Sequence, residues 1–171
     1  MGHILTSVYE KTYDELLQEA LLTKLGMNDT AIRLNEEQKQ RLTQGYWLNN
    51  SDKSPNQLNP LWASGSGLKS TLPDLLRWIE FNLTGDDPAM KESHQILYEK
   101  KTRWMSYFWN ARKDYNGTSF NHHGGTAGMQ NYIFLFPKHD LGISIVVNHS
   151  DAKAPGKMSS AVSKLLKAIN K

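Results

Sequence analysis

The chain has 171 residues, 39% of them hydrophobic, and five Trp, seven Tyr and five Phe supply large side chains for one core, so a single domain spanning 1–171 is expected. Twenty basic residues stand against 17 acidic ones, a net charge of +3, and no nucleic-acid motif accompanies that small excess. With no cysteine, disulfides, thiolate nucleophiles and cysteine metal sites are excluded; no run approaches the roughly 18 apolar residues of a membrane span, and the first residues show no signal peptide.

Thr12-Tyr13-Asp14-Glu15 forms a capping box, and Tyr13, Leu16, Leu17, Ala20, Leu21 and Leu25 repeat at helical spacing until Gly26 can end the helix in a left-handed turn. Residues 28–35 read as a loop, 36–44 as a short polar helix, and 46–60, rich in Asn, Ser and Pro, as surface. The small-residue segment 63–68 leads into a helix with Thr71 as cap and Pro73 in its first turn. Its apolar face is expected to be Leu72, Leu75, Leu76, Ile79 and Leu83. A further helix is predicted from Asp87-Pro88 towards Tyr98. Strands are predicted over 104–111, 118–122, 130–136 and 141–148, the last two joined by the turn Pro137-Lys138-His139-Asp140. A final helix has Pro155 near its start and Met158, Val162, Leu165, Leu166 and Ile169 on one face. Residues 1–103 are thus expected to be mostly helical, 104–150 a sheet and 151–171 a closing helix. This is an α+β, three-layer arrangement: an antiparallel meander packed by a C-terminal helix. The densest basic clusters, Lys100-Lys101-Thr102-Arg103 and the five lysines from Lys153 to Lys171, read as solvated faces.

The segment Asn121-His122-His123-Gly124-Gly125-Thr126-Ala127-Gly128, followed by two apolar runs, carries an imidazole through small residues into a hairpin. Such an edge can hold an extended substrate by its backbone while a nearby cation attracts a carboxylate. Its order resembles the Lys-Thr-Gly or His-x-Gly triplet of class C serine β-lactamases, DD-peptidases and related esterases. Two further segments resemble that superfamily in the same order: Leu25-Gly26-Met27-Asn28-Asp29-Thr30, and 63–78 with its Ser-Thr-x-x-Asp-Leu core. The resemblance covers nearly the whole chain and implies a partial β-lactamase/transpeptidase-like fold. It also implies no cofactor, a periplasmic or secreted location, and a small-molecule or peptide substrate. By it, His122 would assist substrate binding and the tetrahedral intermediate, and the Gly125 N–H would be one of two oxyanion donors. Gly124 would leave room for substrate, and His123, Thr126, Tyr107 and Trp109 would contact it. His123 departs from the common Thr or small residue, which removes the hydroxyl contact expected there. An adjacent His pair in a strand points to opposite faces, so no metal site is expected.

The superfamily's nucleophile is the Ser of Ser-x-x-Lys at a helix start, followed by Tyr-x-Asn. Tyr-x-Asn does not occur. Ser66-Gly67-Leu68-Lys69 and Ser150-Asp151-Ala152-Lys153 match the first pattern, but 14 Ser and 15 Lys give about one match by composition alone. Ser66 lies in the small-residue segment and Ser150 follows the triplet. The expectation is therefore a C-terminal part of a serine acyl-transfer hydrolase, lacking its nucleophile and inactive alone; a non-catalytic peptide or cell-wall binding module is the alternative. Residues 141–147 would then present an apolar strand edge, covered by self-association, strand exchange or an N-terminal portion of the same protein.

Overall fold

The computed structural model describes residues 2–48, 52–59, 62–101 and 103–169. Of the positions named above, Met1, Pro60, Thr102 and Lys171 lie outside them. An N-terminal helix α1 (Gly2–Tyr9), not foreseen in the sequence, precedes the capping box. The box forms as expected: Glu15 N–H donates to Thr12 Oγ1 and Thr12 N–H to Glu15 Oε2, opening α2 (Tyr13–Leu17). That helix continues through a π-helical stretch (Gln18–Leu22) into α3 (Thr23–Leu25), and Gly26 ends it at φ 65° while Met27 N–H bonds the Leu22 carbonyl. A second reciprocal box, Asn35 with Gln38, starts the short α4 (Glu36–Gln40). The small-residue segment forms one turn, α5 (Ala63–Ser66), before α6 (Leu72–Thr84), which Thr71 caps.

The face that α6 buries differs from the expected one. Ile79 is buried and Leu75 and Leu83 are half-buried, but Leu72 and Leu76 are exposed, and Asp74 and Asn82 point inward. Asp74, 2% exposed, sets this rotation. Its carboxylate accepts from Asp29 N–H (2.9 Å), Thr30 Oγ1 (2.8 Å) and Arg77 (2.8 Å). Beside it Ala31 and Lys69 form a backbone bridge. The Asp29-Thr30 and Thr71-x-x-Asp74 segments are thus two halves of one clasp.

Asp87 caps α7 (Pro88–Ser93), which ends earlier than predicted because the chain extends into β1 (Tyr98–Lys100). The sheet therefore begins before residue 104. It has six antiparallel strands in sequence order: β1, β2 (Arg103–Met105), β3 (Asn110–Asp114), β4 (Gly117–Thr126), β5 (Met129–Phe136) and β6 (Leu141–Val147). The single strand expected over 104–111 is instead a hairpin. Ser106 N–H bonds the Trp109 carbonyl and Phe108 turns at φ 60°, a region that costs a bulky residue roughly 1–2 kcal/mol.

Alternation along the strands separates two cores. Phe120, Ile133, Leu135, Trp109 and Ala111 face α6, with Ile79, Trp78 and Leu83 upon them. Tyr132, Phe134, Phe136, Ile143 and Ile145 face α8 (Ala154–Ile169), whose Val162 and Leu166 complete the second core. α6 packs on β6 at Gly142, where a Cβ would collide with the Ile79 side chain. Helix, sheet and helix make the three layers expected. β6 ends the sheet order and, among the described residues, pairs only with β5; a bridge from Tyr46 to His149 lies just past its end.

Replacing Asp74 by Ala removes the acceptor of the half-buried Asp29 N–H and the partner of Arg77, and leaves the buried Thr30 hydroxyl to turn to Ser70 Oγ at 2.7 Å. Urea unfolding is expected to show a loss of roughly 3 kcal/mol.

Candidate active site

β4 spans ten residues, and its two neighbours cover it unequally. β5 pairs with it up to Thr126↔Met129, whereas β3 stops at Asn110↔Asn121. Residues of an antiparallel strand bond alternately to one neighbour and the other. Asp114↔Gly117 closes the turn with β3, so residues 117, 119 and 121 face β3; Thr126↔Met129 closes the turn with β5, so 122, 124 and 126 face β5. Both hairpins give the same parity. The N–H and C=O of His123 and Gly125 therefore point to the side that β3 has left, and among the described residues no hydrogen bond occupies those N–H groups.

Side chains follow the same alternation. His122 is exposed on the α6 face of the sheet, in line with Phe120 and opposite Ile133. Gly124 shares that face, and a Cβ there would lie 3.2 Å from Asn131 Nδ2, so the bare backbone keeps the strand clear. Thr126 closes the hairpin turn on the same face, half-buried.

His123 turns to the α8 face, away from His122. Its Nε2 lies 3.2 Å from Gln130 Oε1 and its ring meets Tyr132 edge-on at 5.3 Å. Gln130, buried, donates both amide hydrogens, to the carbonyls of His149 (2.9 Å) and Asp151 (2.8 Å). Its oxygen can then only accept, so His123 carries its proton on Nε2. This chain ties the triplet strand to the loop before α8. A Cβ built on Gly125 would lie 3.8 Å from His123 Cε1, so the imidazole lies under Gly125 on the α8 face.

The β4–β5 turn is clamped from outside. Gly128 adopts φ 71° and donates its N–H to Ser150 Oγ at 2.8 Å, and Ser54 Oγ donates to the Ala127 carbonyl at 3.2 Å. Ser150 is thereby a turn anchor. Ser66 ends α5 instead of starting a helix, and the Lys69 ammonium donates to the carbonyls of Gly67 (2.7 Å) and Gln57. Partial burial pushes the Lys69 pKa below its ordinary value. Among the described residues, neither Ser-x-x-Lys match has a lysine hydrogen-bonded to its serine.

Tyr107 is exposed at the tip of the β2–β3 hairpin, in line with the open segment of β4, its hydroxyl 3.5 Å from Glu92. Trp109, expected to touch a ligand, is instead 7% exposed: it is a core residue against His94 and Phe120. Residues that sequence reasoning missed are Gln130, Phe108 and His94. The His94 ring stacks on Phe120 at 4.4 Å, two residues before His122, and burial lowers its pKa.

The β-lactamase family model matches residues 1–162. The chain belongs to the β-lactamase family. Protein flp of Staphylococcus aureus (strain MRSA252) is 25% identical over 165 residues, covering 91% of this chain and 32% of the relative. The D-alanyl-D-alanine-carboxypeptidase/endopeptidase AmpH of Escherichia coli (strain K12) is 24% identical over 190 residues, covering 99% of this chain and 48% of the relative. A class C β-lactamase from Rhodobacter sphaeroides superposes with TM-score 0.84 at 19% identity, over 99% of this chain and 58% of that one. The chain therefore spans less than half the length of these two curated relatives. Within the β-lactamase fold it supplies the six-stranded sheet with α6 and α8.

Burial of His94, at the end of α7, is expected to make the fold acid-sensitive. Its folded pKa lies below the ordinary 6.5, so between the two values the unfolded chain binds a proton that the folded chain refuses. Its contribution is complete above the unfolded value and is lost as pH falls towards the folded one. Unfolding in urea at about pH 7 and about pH 5 should show this slope, flattened in His94→Phe, which keeps the stack without the titration.

Proposed function

We propose that the complete protein is a serine acyl-transfer hydrolase of the class C β-lactamase/DD-peptidase kind, and that this chain carries its triplet strand without its nucleophile. The observation that supports this is the free Gly125 N–H on an open strand edge, with His122 exposed on the adjoining face. A serine hydroxyl from outside the chain would attack the substrate carbonyl, and the developing oxyanion would accept from Gly125 N–H and from the serine's own N–H. One such donor is worth about 3 kcal/mol in a complete hole. The leaving amine or alcohol takes a proton, and water then hydrolyses the covalent ester, splitting a hard cleavage into two easier steps.

The open edge is extended backbone, so a substrate with its own peptide-like N–H and C=O can pair with His123 and Gly125 as an added strand. β-Lactams, D-Ala-D-Ala peptides and esters all fit this description in part, and likeness to the carboxypeptidase/endopeptidase AmpH favours the peptide. In this role His122 donates to the substrate or its intermediate, Gly124 admits it, and Thr126 and Tyr107 border it. His123 supports the donor from beneath. We place the protein in the periplasm or outside the cell, where such substrates occur; no helix among the described residues is long and apolar enough to cross a membrane. The uncovered edge of β6 is where an N-terminal portion of the same protein would join the sheet; self-association there is the other way to cover it.

The test is intact mass after incubation with a labelled penicillin. The chain alone should stay unmodified, and mixing it with an N-terminal portion bearing Ser-x-x-Lys and Tyr-x-Asn should place the adduct on that portion. An adduct on Ser66 or Ser150 of the chain alone would contradict the proposal. Binding of a D-Ala-D-Ala peptide to the mixture, with neither adduct nor turnover, would favour the binding module.

A further inference from the structure

The basic residues of this chain are not spread evenly. Five of the 20 lie between Lys153 and Lys171 with no acidic residue among them, so the rest of the chain holds more acidic than basic side chains. The positive excess belongs to α8. This helix runs 16 residues, about 24 Å at 1.5 Å per residue. Ala154, Met158, Val162 and Leu166 form its buried stripe. At about 100° per residue, Lys157, Lys164 and Lys167 fall together on the opposite side, and Lys153, in the turn leading into the helix, lines the same recess. All four are exposed. Only Lys157 has a carboxylate partner among the described residues, Asp151 at 3.1 Å, and it is 72% exposed even so. Between the lysines lie Gly156, Ser160 and Ala161, which leave a shallow recess along the helix.

We propose that the outer face of α8 docks the protein on an anionic phospholipid surface. The lysines run as a stripe along one side of the helix with a shallow recess between them and share one sign, which suits a layer of phosphate charges. Lysine is a flexible point charge without the planar fork of arginine, and the stripe has no aromatic residue for stacking on bases, so nucleic acid is the poorer fit. The apolar face of α8 is occupied by Phe134, Phe136 and their neighbours, so the contact is electrostatic and peripheral, without insertion. The orientation agrees with the site. α8 covers one face of the sheet and His122 stands on the other, so a docked protein presents His122 on the side away from the bilayer.

The experiment is co-sedimentation of the full chain with phosphatidylcholine vesicles, with and without phosphatidylglycerol. Binding is expected only with phosphatidylglycerol, weakening as salt rises from about 0.01 M to about 0.15 M. The variant K153Q/K157Q/K164Q/K167Q should lose affinity by roughly fivefold per lysine. The charge-matched variant K24Q/K100Q/K101Q/K138Q should bind nearly as the parent does. Circular dichroism establishes that both fold. No binding to anionic vesicles at low salt would overturn the proposal, as would equal weakening by the two variants. Binding to soluble polyphosphate without binding to vesicles would overturn it in favour of a polymer ligand.

Discussion

The end of β3 at Asn110 is the constraint on which the site depends. Had residues 104–111 formed one strand, its neighbour would have run on past Asn121 and bonded the backbone of His123 and Gly125. Instead the chain reverses through Tyr107 and Phe108, at the cost of an aromatic residue in left-handed conformation and 81% exposed. The freed strand is kept in place by other means. β5 holds one side, Ser54 and Ser150 hold the turn, and the Gln130–His123 link holds the underside. Three supports and one open edge leave the Gly125 N–H fixed in direction, which is what the proposed oxyanion contact requires.

The segments that look most like family signatures divide into two kinds. The Leu-Gly-Met-x-Asp-Thr and Ser-Thr-x-x-Asp segments meet at Asp74, where a buried carboxylate satisfies two donors and fixes how α6 lies on the sheet. Their chemistry is architectural. The His-x-Gly triplet differs: it keeps an open backbone edge and an exposed His122, while His123 is tied to Gln130 beneath it.

Much of this was legible in the sequence. The Thr12 box, the Gly26 stop, the Thr71 cap and the β5–β6 hairpin are local signals, each satisfied by neighbours a few residues away. What escaped was set by distant partners. Leu72 and Leu76 fit the apolar period, yet the rotation of α6 is decided by Thr30, some 40 residues earlier. The β2–β3 turn has no Gly, Asn or Pro to announce it, so Trp109 was expected beside a ligand and is found in the core. Gln130 reads as an ordinary strand residue until its partners at 123, 149 and 151 are brought together. The triplet was visible from composition and order; the openness of its edge was not, because that follows from where a different strand stops.

Residue-resolved amide hydrogen exchange tests the open edge most directly. The N–H groups of His123 and Gly125 should exchange rapidly, while those of His122, Gly124 and Thr126, bonded to β5, stay protected, so that protection alternates along five consecutive residues. Uniform protection from 122 to 126 would mean that another segment covers the strand, and the reading of Gly125 as an available donor would be wrong.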